Sequence, residues 1–125
     1  MEITVALINE LRTITNAGMM DCKKALIACN GDKEAAIKQL REKGLAIQVK
    51  RADKESNQGL IMAETVGSSI GMAEVNCETD FVAKTDKFIA FTKLVTETVA
   101  KGDLDAAKTL NDELVALISA TGENL

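Results

Sequence analysis

The sequence predicts an α+β chain, with a three-helix bundle followed by a small β-hairpin and helices that form a partial core domain. Three observations carry that expectation. Apolar residues recur at helical spacing through the first 44 positions, interrupted only by very short Gly/Asn breaks. Two β-compatible runs, Leu60–Val66 and Ile70–Asn76, flank Gly67-Ser68-Ser69. Helical periodicity then returns after Thr85. At 125 residues the chain is one domain or two very small ones. Its three aromatics are all Phe and it has no proline, so any core is built from aliphatics.

The elements follow in order. Leu7, Ile8, Leu11 and Ile14 mark one face of a first helix, and Thr15-Asn16-Ala17-Gly18 breaks it, with Gly18 suited to a left-handed helix end. Met19, Cys22, Ala25, Leu26 and Cys29 line the second helix. Asn30-Gly31-Asp32 ends that helix and offers Asp32 as the next N-cap. The third helix buries Ala36, Ile37 and Leu40 and is expected to stop at Gly44. Residues 1–45 thus form the bundle. Residues 46–58, rich in charge and poor in periodicity, read as a connector, helical at most at its start. Residues 59–125 carry the hairpin and two helices. The first of these is capped by Thr85 or Asp86, bears Phe88, Phe91, Leu94, Val95 and Val99, and ends at Lys101-Gly102. The second bears Leu110, Leu114, Leu117 and Ile118 and ends at Thr121-Gly122. Two strands make a poor sheet alone, so either the helices cover them or further strands lie outside this sequence.

Composition narrows the function. There is no histidine, which removes His-based triads and most transition-metal sites. The three cysteines form no CxxC pair. Cys22 and Cys29 on one helix would lie about 10.5 Å apart along its axis, beyond disulfide reach, so free thiols in a reducing compartment are expected. Residues 1–58 carry ten Lys/Arg and eight Asp/Glu, against five and eleven in residues 59–125. The acidic second half argues against direct nucleic-acid binding, because phosphate recognition needs clustered cations. The pairs Lys23-Lys24 and Lys50-Arg51 read as solvated faces. No run approaches the roughly 18 apolar residues of a membrane span. Met1-Glu2-Ile3-Thr4 lacks the basic-then-apolar start of a signal peptide, so the chain is expected to stay where it is made.

The residues with most to say are Thr79-Asp80-Phe81-Val82-Ala83, after Glu74-Val75-Asn76-Cys77-Glu78. Phe81 lies outside the Phe88/Phe91 stripe. Burial statistics alone put such a Phe in a core, with Asp80 as a helix cap. The sharper alternative is an exposed wedge beside a charge. In the bundle, Met19 continues the apolar face of its helix and reads as core, whereas Met20 lies off it and suits an adaptable contact. Arg12 lies off the first helix's apolar face. Cys77 has no neighbouring base to activate it. Glu74, Glu78 and Asp80 lack the close spacing and turn glycine of a calcium loop.

Two stretches match a known family. Leu11-Arg12, Thr15-Asn16-Ala17-Gly18-Met19-Met20-Asp21-Cys22-Lys23-Lys24-Ala25-Leu26, Asn30-Gly31-Asp32 and Leu40-Arg41-Glu42-Lys43-Gly44 closely resemble the N-terminal signature of translation elongation factor Ts. Glu74 through Ala83 resembles its second signature, and the resemblance extends to Gly122-Glu123-Asn124-Leu125. It implies a ubiquitin-associated-like bundle joined to the first half of an α+β core. It also implies a guanine nucleotide exchange factor for elongation factor Tu, in its GDP-bound and nucleotide-free states, acting in bacterial cytoplasm or an organelle interior without a cofactor of its own. By that resemblance Arg12, Met19 and Met20 touch the GTPase, and the turn carrying Thr79, Asp80, Phe81 and Val82 disturbs its magnesium site. Phe81 thereby moves from core to wedge. Family members continue past Gly122-Glu123-Asn124 into a second half of the core, so a fragment or one piece of a split protein is expected. The loop between the strands is shorter than the family's. Two rival readings remain at this point. One is a ubiquitin-associated-like binding module without exchange activity, and the other is an enzyme using Cys77 or the Glu78 and Asp80 carboxylates.

Overall fold

Helix starts in this chain are set by short polar side chains. Thr4 Oγ1 accepts from Leu7 N at 3.2 Å, Asp32 Oδ1 from Ala35 N at 3.1 Å, and Thr85 Oγ1 from Phe88 N at 3.3 Å. Each satisfies an N–H that a first turn leaves without a partner. The computed structural model describes residues 2–102 and 104–125. Its element order is α1 (Val5–Thr15), α2 (Met19–Ala28), α3 (Lys33–Arg51), β1 (Gln58–Val66), β2 (Ser69–Cys77), α4 (Asp80–Ala83), α5 (Asp86–Ala100), α6 (Leu104–Lys108) and α7 (Asn111–Thr121). This is the α+β arrangement the sequence predicts: helices, an antiparallel hairpin, then helices.

Helices α1 to α3 enclose one core, built from Ile8, Leu11, Ala17, Cys22, Ala25, Leu26, Ala36 and Leu40. The left-handed residue that ends α1 is Asn16, at φ 57°, and not Gly18, which precedes α2 with φ −63°. Asn tolerates that conformation because its short polar side chain hydrogen-bonds locally. Met19 also departs from expectation. As the first residue of α2 it stands ahead of the turn that packs, and its side chain is 48% exposed.

The third helix does not stop at Gly44. It runs on to Arg51, so the start of the expected connector is helix. Gly44 is buried, and a Cβ added there would lie 2.8 Å from both Cγ1 and the carbonyl oxygen of Val115. The missing side chain lets α3 approach α7 closely, and that contact joins the bundle to the second half of the chain. Arg41 and Asp112 add an exposed ion pair at 3.4 Å across the same seam.

Strands β1 and β2 pair in register from Gln58↔Cys77 to Val66↔Ser69, closed by the two-residue loop Gly67-Ser68. Helix α5 covers one face. Its buried row is Phe88, Thr92, Thr96 and Ala100, at i, i+4 spacing. The sequence pattern missed the two threonines and placed Leu94 inside, where the structure leaves it exposed. Thr92 and Thr96 enter the core because each hydroxyl donates to the carbonyl four residues earlier, at 2.9 and 2.7 Å. At the far end, a Cβ on Gly71 would sit 2.7 Å from the Ala100 Cβ, so strand and helix meet there at close range. The hairpin's other face leaves Ile61, Ile70 and Met72 exposed. The second core gathers Cys77, Ala83, Phe88 and Leu117, with Leu60, Val75, Val82, Phe91 and Leu125 against it. No helix among the described residues is long and apolar enough to cross a membrane.

Candidate partner-binding site

Strand β2 ends at Cys77 and the chain turns at once into the one-turn helix α4. Thr79 caps that helix: its Oγ1 accepts from Val82 N at 3.3 Å. The expectation that Asp80 supplies the cap is therefore corrected. Asp80 sits in the first turn, exposed, 3.5 Å from Lys84 Nζ. An exposed i, i+4 pair of this kind contributes little. Ala83 points into the second core and Val82 packs against it, which turns the intervening Phe81 outward. Phe81 is 80% exposed, whereas Phe88 is 0% exposed. Of the four candidate residues in this turn, Asp80 and Phe81 present their side chains to solvent. Thr79 and Val82 are half-buried and hold the turn.

Ion pairing fixes the turn from below. Arg51 Nε donates to Glu78 Oε2 at 2.7 Å, and Nη2 donates to the other oxygen. Arg51 is thus no member of a solvated basic pair, as its sequence neighbourhood suggested. Asn124 N also donates to Glu78 Oε2, at 2.6 Å. Arg51 first, then the Asn124 N–H, hold the Glu78 carboxyl at about 2 instead of the ordinary 4.5. A carboxyl depressed in the folded state stabilises the fold fully above its unfolded value near 4.5, and that contribution is lost as pH falls toward 2. Melting followed from pH 5 to pH 2.5 should therefore decline more steeply for the native chain than for Glu78→Gln. Parallel curves would mean that the pair makes no net contribution.

Cys77 is fully buried and its thiol donates to Thr79 O at 3.0 Å. Burial raises its pKa, with the negative charge of Glu123 adding to the effect. A thiol held protonated in this way is a poor nucleophile. Glu74 is exposed, Glu78 is committed to Arg51, and Asp80 faces Lys84. Among the described residues no group of three His, Cys, Asp or Glu could hold a metal ion.

In the bundle, Arg12 is exposed on α1, and Met19 and Met20 open α2 with 48% and 58% exposure. Lys87, near the start of α5, donates to Asn16 O at 3.0 Å. That bond ties the α1–α2 corner to the element that follows the Phe81 turn. Two clefts, of about 290 and 420 Å³, are lined by none of these candidates. Arg12, Met19, Met20, Asp80 and Phe81 lie on open surface outside both clefts. Glu123 and Arg51 also belong to this site, and no local pattern announces them, because their partners lie 44 and 27 positions away.

No family model matches the chain. Among curated proteins, Elongation factor Ts of Rhodospirillum rubrum is 45% identical over 136 aligned positions, which take in 99% of this chain and 44% of the relative. Elongation factor Ts of Xanthomonas oryzae pv. oryzae is 43% identical, over 100% of this chain and 47% of the relative. The protein of that name in Xanthomonas campestris pv. campestris has the same identity and coverage. The chain spans about half the length of the curated relatives it matches.

Proposed function

Starting from a chain that is homologous over its whole length to part of elongation factor Ts, we propose that it promotes release of GDP from elongation factor Tu. The observation that carries this reading is the 80% exposure of Phe81 on a turn that is capped and tied down on both sides. A Phe held in water on an ordered turn offers a partner a large apolar side chain to cover. Asp80 stands beside it, so a carboxylate enters wherever Phe81 does.

The physics needs no covalent step. A GTPase holds its nucleotide through loop amides, a lysine and magnesium. A protein that prefers the empty state weakens nucleotide binding by the same factor, because linkage is reciprocal. In this reading Phe81 enters an apolar cleft of the GTPase, and Asp80 brings negative charge toward the magnesium and phosphate site. Thr79 and Val82 hold the turn. The N-terminal bundle acts as the anchor through Arg12, Met19 and Met20, and residues 59–125 act as the first half of the exchange core. The setting is translation elongation in bacterial cytoplasm, in line with the bacterial relatives.

Anchor and wedge predict different kinetics. Met20→Ala removes an adaptable apolar contact, so the chain concentration giving half-maximal GDP release should rise about five- to tenfold. The rate at saturation should stay the same. Release of labelled GDP from elongation factor Tu, measured over a series of chain concentrations, separates the two effects. A fall in the saturating rate with unchanged half-saturation would remove Met20 from the anchor.

A further inference from the structure

The Gly122-Glu123-Asn124 motif sits against the Phe81 turn, although 44 residues separate Glu123 from Thr79. We infer that Glu123 is the positioning residue of the Asp80–Phe81 turn, setting the direction in which Phe81 leaves the core. The inference rests on the proposed role of that turn in GDP release.

One carboxylate takes three donors. Glu123 Oε1 accepts from Glu78 N at 3.1 Å and Thr79 N at 3.0 Å, and Oε2 accepts from Thr79 Oγ1 at 2.7 Å. The third bond has a consequence. A hydroxyl that donates to Glu123 turns its lone pairs away from that carboxylate, and Thr79 Oγ1 is also the cap that accepts from Val82 N. Glu123 therefore orients the cap and, through it, the single turn that displays Phe81. The arrangement is reciprocal. While Glu123 accepts from residues 78 and 79, the Glu78 carboxylate accepts from Asn124 N at 2.6 Å, and Asn124 Nδ2 donates to Lys54 O at 2.8 Å.

Glu123 is itself placed by the end of α7. Gly122 adopts φ 70°, and Glu123 N donates to Thr121 Oγ1 at 3.3 Å. Helix α7 packs on α3 at Gly44. A continuous line of packed groups thus runs from the bundle, through α7 and Glu123, to the turn. A four-residue helix has too few internal bonds to hold one orientation by itself. An external, charged acceptor for three of its entry donors supplies what it lacks.

The test combines two readouts on Glu123→Ala, Glu123→Gln, Phe81→Ala and the double variant Glu123→Ala/Phe81→Ala. Backbone hydrogen exchange at residues 78, 79 and 82 reports the turn. GDP release from elongation factor Tu reports its use. Glu123→Ala should strip protection from those three amides and lower the saturating release rate about tenfold, with half-saturation unchanged. Glu123→Gln keeps an oxygen for the two backbone donors and should recover most of both. In the Phe81→Ala background, Glu123→Ala should lower release no further, because the wedge it aims is gone. Equal losses in both backgrounds, or unchanged protection at residues 78, 79 and 82, would overturn the inference. If Phe81→Ala alone left release unaffected, the exchange reading would fail instead. The hydrogen-exchange arm would then still decide whether Glu123 holds the turn.

Discussion

Replacing Phe81 with Ala should lower productive engagement with elongation factor Tu on the order of 10- to 100-fold, while the chain melts where it did before. The size follows from burial. Covering one Phe side chain contributes roughly 1.5–3 kcal/mol, and each 1.4 kcal/mol or so is a factor of ten. The unchanged melting temperature follows from exposure, since a side chain that is 80% exposed gives the folded monomer little to lose. Asp80→Asn keeps the shape and removes the charge. Its ion pair with Lys84 is exposed and contributes little to stability, so any loss of GDP release on Asp80→Asn reports the carboxylate's effect on the partner. That loss should be smaller than for Phe81. The measurement is paired: thermal melting of each variant, and GDP release at saturating chain. A large drop in melting temperature for Phe81→Ala, with release falling only in proportion to unfolded chain, would return Phe81 to the core.

Gly44→Val should be the most damaging single change to the fold. The added Cβ would meet Cγ1 and the backbone oxygen of Val115 at 2.8 Å. The oxygen belongs to helix α7 and cannot rotate aside as a side chain would. Overpacking of this kind costs roughly 1–3 kcal/mol. The γ-methyl groups add to it, so a fall in melting temperature on the order of 10 °C is expected. Gly44→Ala should also destabilise, because it carries the same Cβ, but by less, since it lacks the γ-methyl groups and removing a helix-interior glycine returns up to about 1 kcal/mol. Gly44 is not among the positive-φ residues, so damage from Ala as well as Val identifies close approach. A Gly44→Ala chain as stable as the native one would contradict it.

Gly44 also marks the limit of what the sequence discloses. A glycine after a periodic run ordinarily reads as a helix stop. Its reason here is the surface of α7, about seventy residues on, and no local pattern carries that information. The same holds for Thr92 and Thr96. Hydrophobic periodicity selects apolar residues, and these two enter the core only because the helix satisfies their hydroxyls. Local signals did better. Asp32 and Thr85 cap the helices they were expected to cap, and the hairpin closes at Gly67-Ser68. Within the candidate site, the position of Phe81 just after a strand was legible. Its exposure followed from the family resemblance and not from the residue pattern, because it depends on Val82 and Ala83 facing the second core. The clamp of Arg51, Glu78 and Glu123 brings together three separate segments, so nothing near any one of them announces the other two.

Acceleration of GDP release by this chain is read most directly in a stopped-flow trace of labelled GDP leaving elongation factor Tu, with and without saturating chain. Release should be faster and should level off with chain concentration. Binding of the chain to elongation factor Tu with no acceleration of GDP release would rule out the proposed exchange role.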